Sequence, residues 1–218
     1  MLTSRTNKEN NSLPCSALKR KSFIQTFWDF IGIPFRLVLF DQKWLPAFYW
    51  TTLEDDRLRE VIPEIKGRLL DIGAGENTLV KLHENGEGVD VFDWGGGALV
   101  VENTADLPFD SGSFDSVTFV ACLNHIPNRE EVVKEADRLL KDGGNIIVTM
   151  INPFIGDIGH KIWWYSEDKH RGGMIEGELG GMWTGHIVQI FEDHNFQLTK
   201  HKRFVYGMNH LYVFERKR

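Results

Sequence analysis

Three side chains stand where an open α/β sheet does its chemistry: Asp71, Asp90 and His125. Asp71 lies in a short apolar run, Leu69 to Ile72, that reads as a buried strand. Gly73-Ala74-Gly75-Glu76-Asn77 follows as a turn, and Thr78-Leu79-Val80-Lys81-Leu82 resumes at helical spacing. Strand, glycine turn and helix form the arrangement that points backbone N–H groups and a helix N-terminus at a bound nucleotide. Asp71 narrows the choice of nucleotide, because a carboxylate at the strand end repels a dinucleotide pyrophosphate at short range. It suits a cofactor that carries an ammonium and a sulfonium. Thr78 also stands where the dinucleotide fingerprint has its third glycine.

Asp90 follows Asp71 by about 20 residues, the spacing at which Rossmann-like folds place an acid on the ribose hydroxyls. A carboxylate fits that task because it accepts hydrogen bonds from both hydroxyls of a vicinal diol. Asp93 competes for the same role. His125 comes after Ser116 to Leu123, a β-branched and aromatic run that reads as a buried central strand with Cys122 as a core residue. The carboxyl edge of a central strand is where an open α/β sheet holds its ligands. His125 is therefore the first candidate for a general base, with His160 and His186 in reserve. A histidine at such a place more often serves as a hydrogen-bonding loop residue.

The elements that must position these groups follow from the pattern. Residues 1–20 are polar and read as a disordered leader. Residues 21–65 read as a helical, aromatic-rich extension: Phe23, Ile24, Phe27, Trp28, Phe30 and Ile31 recur at helical spacing, and Trp44, Phe48, Tyr49 and Trp50 follow. That extension has three readings: a helix on the domain edge, a lid over the acceptor pocket, or a peripheral membrane contact through 23–50. Thr52 with Asp55 resembles a capping box at the start of a helix limited by Pro63. Gly86 to Asp93 reads as the second strand, and Ala98 to Val101 as the third, with a glycine loop where a parallel crossover normally has a helix. Asn128 is placed to cap a helix whose first turn holds Glu130 and Glu131. Lys141-Asp142-Gly143-Gly144 reads as its end, and Asn145 to Met150 as a fifth strand. Residues 152–183 are an insertion rich in Trp, His and Gly, expected to be an acceptor-binding flap. Helix 185–194 and strands near Phe196–Arg203 and His210–Glu215 complete the chain.

The Asp71–Asn77 stretch resembles motif I of the class I S-adenosylmethionine-dependent methyltransferases, with Asn77 in place of the last glycine. Asn tolerates the left-handed backbone better than other non-glycine residues. Gly88-Val89-Asp90, Ala105-Asp106-Leu107-Pro108-Phe109, Gly112-Ser113-Phe114-Asp115 and Gly143-Gly144 are similar to further segments of that family, in the family's order. The resemblance covers 67–153 closely and 185–216 loosely. It implies an α/β fold, a Rossmann-like, mostly parallel sheet with a C-terminal antiparallel hairpin in an α/β/α sandwich, over residues 66–218. It implies S-adenosyl-L-methionine as cofactor, with Asp71, Gly73, Ala74, Gly75 and Asn77 at the methionine end. Asp90 and Val91 would lie at the ribose, and Asn103, Thr104 and Ala105 at the adenine. It implies methyl transfer to a small-molecule acceptor, and the aromatic flanks suit an apolar, lipid- or sugar-linked one. Two rivals stand beside this reading. One is a nicotinamide-dependent oxidoreductase, opposed by Asp71 and Thr78. The other is a non-catalytic cofactor-binding module, favoured by Asn77, Asn103 and the missing crossover helix.

Composition sets the outer bounds. The 218 residues carry a formal net charge of −6, which argues against nucleic acid as acceptor. Two cysteines make neither a disulfide framework nor a metal site. The longest apolar stretch, Phe23 to Phe40, is broken by Asp29, Pro34 and Arg36, so the expectation is a reduced cytoplasmic protein with no membrane span.

Overall fold

The structure, a computed structural model, describes residues 20–39, 42–156 and 176–217. The leader 1–19 and the insertion residues His160, Trp163, Trp164, Tyr165, His170 and Met174 lie outside the described residues. The described residues hold seven strands: β1 (Leu69–Ile72), β2 (Gly86–Asp90), β3 (Leu99–Val100), β4 (Phe114–Val120), β5 (Leu140–Ile151), β6 (Phe196–Phe204) and β7 (Asn209–Arg216). They form one sheet in the order β3-β2-β1-β4-β5-β7-β6. β1, β2, β3, β4 and β5 pair in parallel, and β7 runs antiparallel between β5 and β6. This is the expected mostly parallel sheet with a C-terminal antiparallel hairpin. Strand order reverses between β1 and β4, so their carboxyl ends part and leave the crevice in which such sheets bind ligands.

Among the described residues five α-helices accompany the sheet: α1 (Phe23–Ile31), α2 (Leu53–Val61), α3 (Thr78–His83), α4 (Arg129–Leu139) and α5 (Thr184–Asp193). The two-residue period of the strands sorts their side chains into two cores. Leu70, Ile72, Phe119, Ile146, Val148 and Phe214 pack with Val132, Val133 and Ala136 of α4 and with Ile187 and Phe191 of α5. Leu69, Ile147, Leu211 and Val213 pack on the other face with Leu58 and Val61 of α2 and Leu79 of α3. The central strands are thus covered on both sides, which is why they read as mostly apolar runs rather than as strict alternation. Among the described residues no helix is long and apolar enough to cross a membrane.

Three local expectations are corrected. The Lys141–Gly144 turn lies inside β5, whose register against β4 shifts between the pairs Phe114↔Leu140 and Ser116↔Asn145. Gly143, at φ 77°, absorbs the extra residues as a bulge does. Asn128 makes no side-chain cap to α4; its amide lies 3.4 Å from the Asn103 oxygen instead. Cys122 lies beyond the end of β4 rather than in the strand, half-buried at the carboxyl edge with its thiol donating to the Ile72 carbonyl. Burial first, then the Asp71 and Asp90 charges, push that thiol up, away from the thiolate a nucleophile needs.

The capping box of α2 forms in full: Asp55 N–H donates to Thr52 Oγ1 at 2.9 Å and Thr52 N–H to Asp55 Oδ2 at 3.0 Å. Ahead of it, α1, a π-helical turn (Phe35–Leu39) and a 3₁₀ turn (Gln42–Phe48) are held by buried charge. Asp29 is fully buried and accepts from Lys21 Nζ at 2.6 Å, Gln25 Nε2 at 2.9 Å, and the Thr51 hydroxyl and amide at 2.8 and 3.1 Å. Arg36, also buried, donates to Asp56 Oδ2 at 2.6 Å, Thr51 Oγ1 at 3.0 Å and Thr51 O at 2.8 Å. Gly32 fits because the Trp50 indole lies where a Cβ would stand, 2.4 Å away.

Burial by itself would raise the Asp29 carboxyl, but the Lys21 and Thr51 hydrogen bonds and the Arg36 charge outweigh it and hold it below its usual range. Its stabilisation is therefore present above the unfolded carboxylate pKa, about 4, and is lost as pH falls through the lower folded value. Replacing Asp29→Ala removes one of the two carboxylates on Lys21 and the buried acceptor of Gln25 and Thr51, and is expected to destabilise the extension by about 3 kcal/mol. Hydrogen exchange of residues 22–51 should show the loss at pH 7, and the wild type should show it only below about pH 4. Unchanged protection in the variant would contradict this.

Candidate cofactor and acceptor site

The turn after β1 takes the left-handed backbone at Gly73 (φ 75°), Gly75 (φ 54°) and Asn77 (φ 61°). Asn77 thus adopts the conformation expected of it. Gly73 has a second constraint, since a Cβ there would meet Cys122 Cβ at 2.6 Å. Gly75 is the opposite case, with no atom within 4 Å of where its Cβ would stand. The turn therefore faces open space at that residue, and a ligand can approach the backbone closely.

The turn does not offer its amides as expected. Gly73 and Ala74 both donate to Val89 O, at 2.9 and 3.0 Å, and Asn77 to Ala74 O at 2.8 Å. Gly75 donates to Asp90 Oδ2 at 2.9 Å. With those N–H groups used inside the protein, the cradle for a pyrophosphate is missing. Asn77 Oδ1 is buried without a hydrogen-bond partner, packed where a side chain on Gly88 would stand.

Carboxylates surround the turn instead. Asp71 is buried and accepts the Thr118 hydroxyl at 2.6 Å. Desolvation, opposed by that hydrogen bond and reinforced by the Asp90 charge, raises its carboxyl to about 7. Asp90, at the end of β2, also accepts the Phe92 N–H at 3.0 Å through its second oxygen. A carboxylate has about four acceptor positions, so both oxygens keep capacity. Glu54, at the start of α2, lies by the Thr78 hydroxyl, and desolvation, with Glu76 and Asp55 nearby, raises its carboxyl. The donor set around the turn is thus acidic, which fits a ligand with cationic groups at its methionine end. Asp93, by contrast, is exposed and accepts the Gly95 N–H at 2.8 Å, holding its own loop. That loop explains the short crossover: Gly96 lies so close to Glu76 that a Cβ would meet the Glu76 carbonyl oxygen at 2.2 Å.

Beyond β2 and β3, Val91 and Asn103 are exposed and Thr104 is buried. Asn103 Oδ1, assigned by resemblance to an adenine amine, already accepts the Ala105 N–H at 2.9 Å. The Leu107–Phe109 segment is pinned from α4, where Glu135 accepts the Leu107 N–H at 2.9 Å and Arg138 donates to Leu107 O at 3.2 Å.

On the other side of the crevice, β4 is followed by Ala121 in the left-handed region (φ 55°), an unusual backbone for a residue with a Cβ. A 3₁₀ turn (Leu123–His125) follows. The described return limb of the insertion docks on this turn. Leu179 N–H donates to Asn124 O at 2.9 Å, Asn124 Nδ2 to Leu179 O at 2.9 Å, and Arg129 Nη2 to Gly177 O at 2.8 Å. These bonds bring the Glu178 carboxylate, its side chain 1% exposed, to 3.7 Å from His125 Nδ1. Glu178 escaped sequence reasoning because the insertion has no period to place it; its only signal was an acid among the glycines 177, 180 and 181. His186 is exposed in the first turn of α5. His160 lies outside the described residues. Among the described residues no group of three or more His, Cys, Asp or Glu is arranged to hold a metal.

Comparison with known proteins agrees with this geometry. Residues 68–148 match the family described as "Methyltransferase domain". A protein of Methanocaldococcus jannaschii, MJ1252, is 36% identical over 106 residues, 43% of this chain and 42% of its own. The ubiquinone/menaquinone biosynthesis C-methyltransferase UbiE of Rhizobium rhizogenes is 32% identical over 85 residues, 39% of this chain and 29% of its own. The chain spans about half the length of the curated relatives it matches, 42% and 58% for the first two. The crystal structure of a SAM-dependent methyltransferase, possible histamine N-methyltransferase, from Thermotoga maritima superposes with a TM-score of 0.57 at 20% identity, over 74% of this chain and 88% of that one. The sheet order, the acid-flanked turn and the matched segment lead to one conclusion: residues 68–148 are a segment of the methyltransferase-domain family, set in a sheet of the class I S-adenosylmethionine-dependent methyltransferase fold.

Proposed function

We propose that the chain binds S-adenosyl-L-methionine across the β1/β4 crevice and transfers its methyl group to an apolar small-molecule acceptor. The observation that carries this is the make-up of the turn. Its Gly73, Ala74, Gly75 and Asn77 amides are bonded within the protein while Asp71 and Asp90 flank it. In this reading Asp71 and the 73–77 turn take the methionine end, Asp90 and Val91 the ribose, and Thr104 and Ala105 the adenine. Asn103 contributes through its amide NH₂, since its oxygen is engaged. The bound cofactor supplies the electrophilic methyl group. The protein supplies orientation, exclusion of water and a base. His125 takes the acceptor's proton, and Glu178 holds the imidazole from behind through Nδ1. The aromatic extension and the name of the UbiE relative both support an apolar acceptor.

The sign of the pH dependence follows from Asp71. Its folded pKa lies above the unfolded value, so the free protein binds more protons than the unfolded chain between about pH 4 and 7 and loses stability as pH rises across that window. A cationic ligand prefers the ionised carboxylate. Calorimetric affinity for S-adenosylmethionine should therefore rise with pH up to about 7, by at most about tenfold per unit, and level off above. Asp71→Asn should flatten the profile. A wild-type protein that binds NAD in preference, or shows no pH dependence, would refute the assignment. Asp90→Ala is expected to weaken cofactor binding by about 1–3 kcal/mol, and unchanged affinity would remove it from the site. His125→Ala should lower kcat on the true acceptor by about 10² or more, and Glu178→Gln should lower it too, both with cofactor affinity retained. Full turnover in the His125 variant would exclude it as the base.

A further inference from the structure

The helix α1 is built inside out. Its one buried residue is the acid, Asp29. Its apolar residues face outward: Phe23 is 87% exposed and Ile24 79%, and Phe27, Trp28, Phe30 and Ile31 are exposed as well. The aromatic surface continues onto the next turn with Trp44, 65% exposed, and Tyr49, 82% exposed. Such a patch on a water-soluble surface needs a partner. The helix is also not loosely attached. The Asp29 hydrogen bonds, the Trp28 indole on Phe48 O at 2.9 Å and the Trp50 indole on Trp28 O at 3.1 Å hold it in this orientation. The polar side of α1 is satisfied inward so that the apolar side is presented outward.

Charge selects the partner. Over residues 20–52 the sequence holds the bases Arg20, Lys21, Arg36 and Lys43 and two acids: Asp29, buried against Lys21, and Asp41, which lies outside the described residues. Arg20 and Lys43, the latter next to Trp44 in the chain, are exposed. In a chain of net charge −6 this segment is thus net positive, and among its described residues no acid is exposed. Trp and Tyr with cations at the rim are the side chains that settle at the boundary of headgroups and acyl chains. The face also lies at the functional edge of the sheet. Tyr206, in the turn directly after the carboxyl end of β6, donates its hydroxyl to Thr26 O and meets Phe30 edge-on at 5.1 Å. β6 runs parallel to β4 and β5, because β7 is antiparallel to β5 and β6. α1 is thus fastened at the same edge that carries His125. Val205 and Tyr206 hold left-handed backbones (φ 45° and 56°) to make that turn, a strained arrangement for a β-branched residue.

We infer that the outward face of α1, with Trp44 and Tyr49, docks on the surface of an anionic lipid bilayer, from which the apolar acceptor reaches the carboxyl edge of the sheet. The second half of this statement rests on the methyl-transfer reading above; the first half does not. The test is flotation of the full chain with phosphatidylcholine vesicles, with and without a quarter of phosphatidylglycerol. The chain should float with the anionic vesicles and much less with the neutral ones, and added salt should weaken the association. The triple variant Phe23→Ser, Ile24→Ser, Phe27→Ser should lose at least about tenfold in vesicle affinity, while calorimetry shows its S-adenosylmethionine binding unchanged. A wild-type chain that ignores both vesicle types overturns the inference. So does a wild-type dimer, seen by light scattering, that the triple variant dissociates without any vesicle binding. Absence of cofactor binding in the wild type would instead defeat the methyl-transfer reading and leave the vesicle result to stand separately.

Discussion

The carboxylate of Asp90 is the tie on which the site depends. It ends β2, accepts the Gly75 N–H across the turn that follows β1, and accepts the Phe92 N–H from the chain leaving β2. One buried acid thereby sets the spacing between two parallel strands at their carboxyl ends and closes the glycine turn. The cost is that Asp71, a few ångströms deeper in the same fold, shares the neighbourhood of a second negative charge. Desolvation and that charge together raise its carboxyl to about 7. A free protein in this condition carries electrostatic tension that a cationic ligand relieves and an anionic one increases.

Opposite this acidic wall, the crevice is completed by a segment that is not part of the sheet. The limb 177–181 is bonded to the turn after β4 through Asn124 and Arg129. It contributes Glu178 to the neighbourhood of His125. The two halves of the site therefore answer to different constraints. The side proposed for the cofactor is held by strands and by backbone hydrogen bonds. The side proposed for the acceptor is held by a loop docked on a loop, the part of a fold that varies most readily with function.

The aromatic extension follows the same division of labour. Lys21, Asp29, Arg36 and Asp56 form a buried charge network with Thr51, and this network rather than apolar burial attaches α1 to the body. Buried ion networks are a weak source of net stability but a strong source of a defined geometry when every member is satisfied. Here the defined geometry leaves the apolar side chains outward.

By itself, the sequence was enough for the class of fold, through its resemblance to a known family, and for Asp71 in a strand, Asp90 at the next strand's end and Asn77 in the turn, because local patterns and left-handed turn chemistry are properties of short stretches of the chain. The Thr52–Asp55 capping box was legible for the same reason. Tertiary structure alone decided which amides of the turn remained available, since Val89 O and Asp90 come from another strand. It also decided that Asn103's oxygen was occupied, that Asn128 left its helix uncapped, and that the Lys141–Gly144 turn became a bulge in β5. The pairing of Glu178 with His125 and the outward face of α1 belong with these. Each depends on contacts between residues far apart in sequence, and on whether a buried polar group is satisfied from inside or outside its own element, which no local pattern encodes.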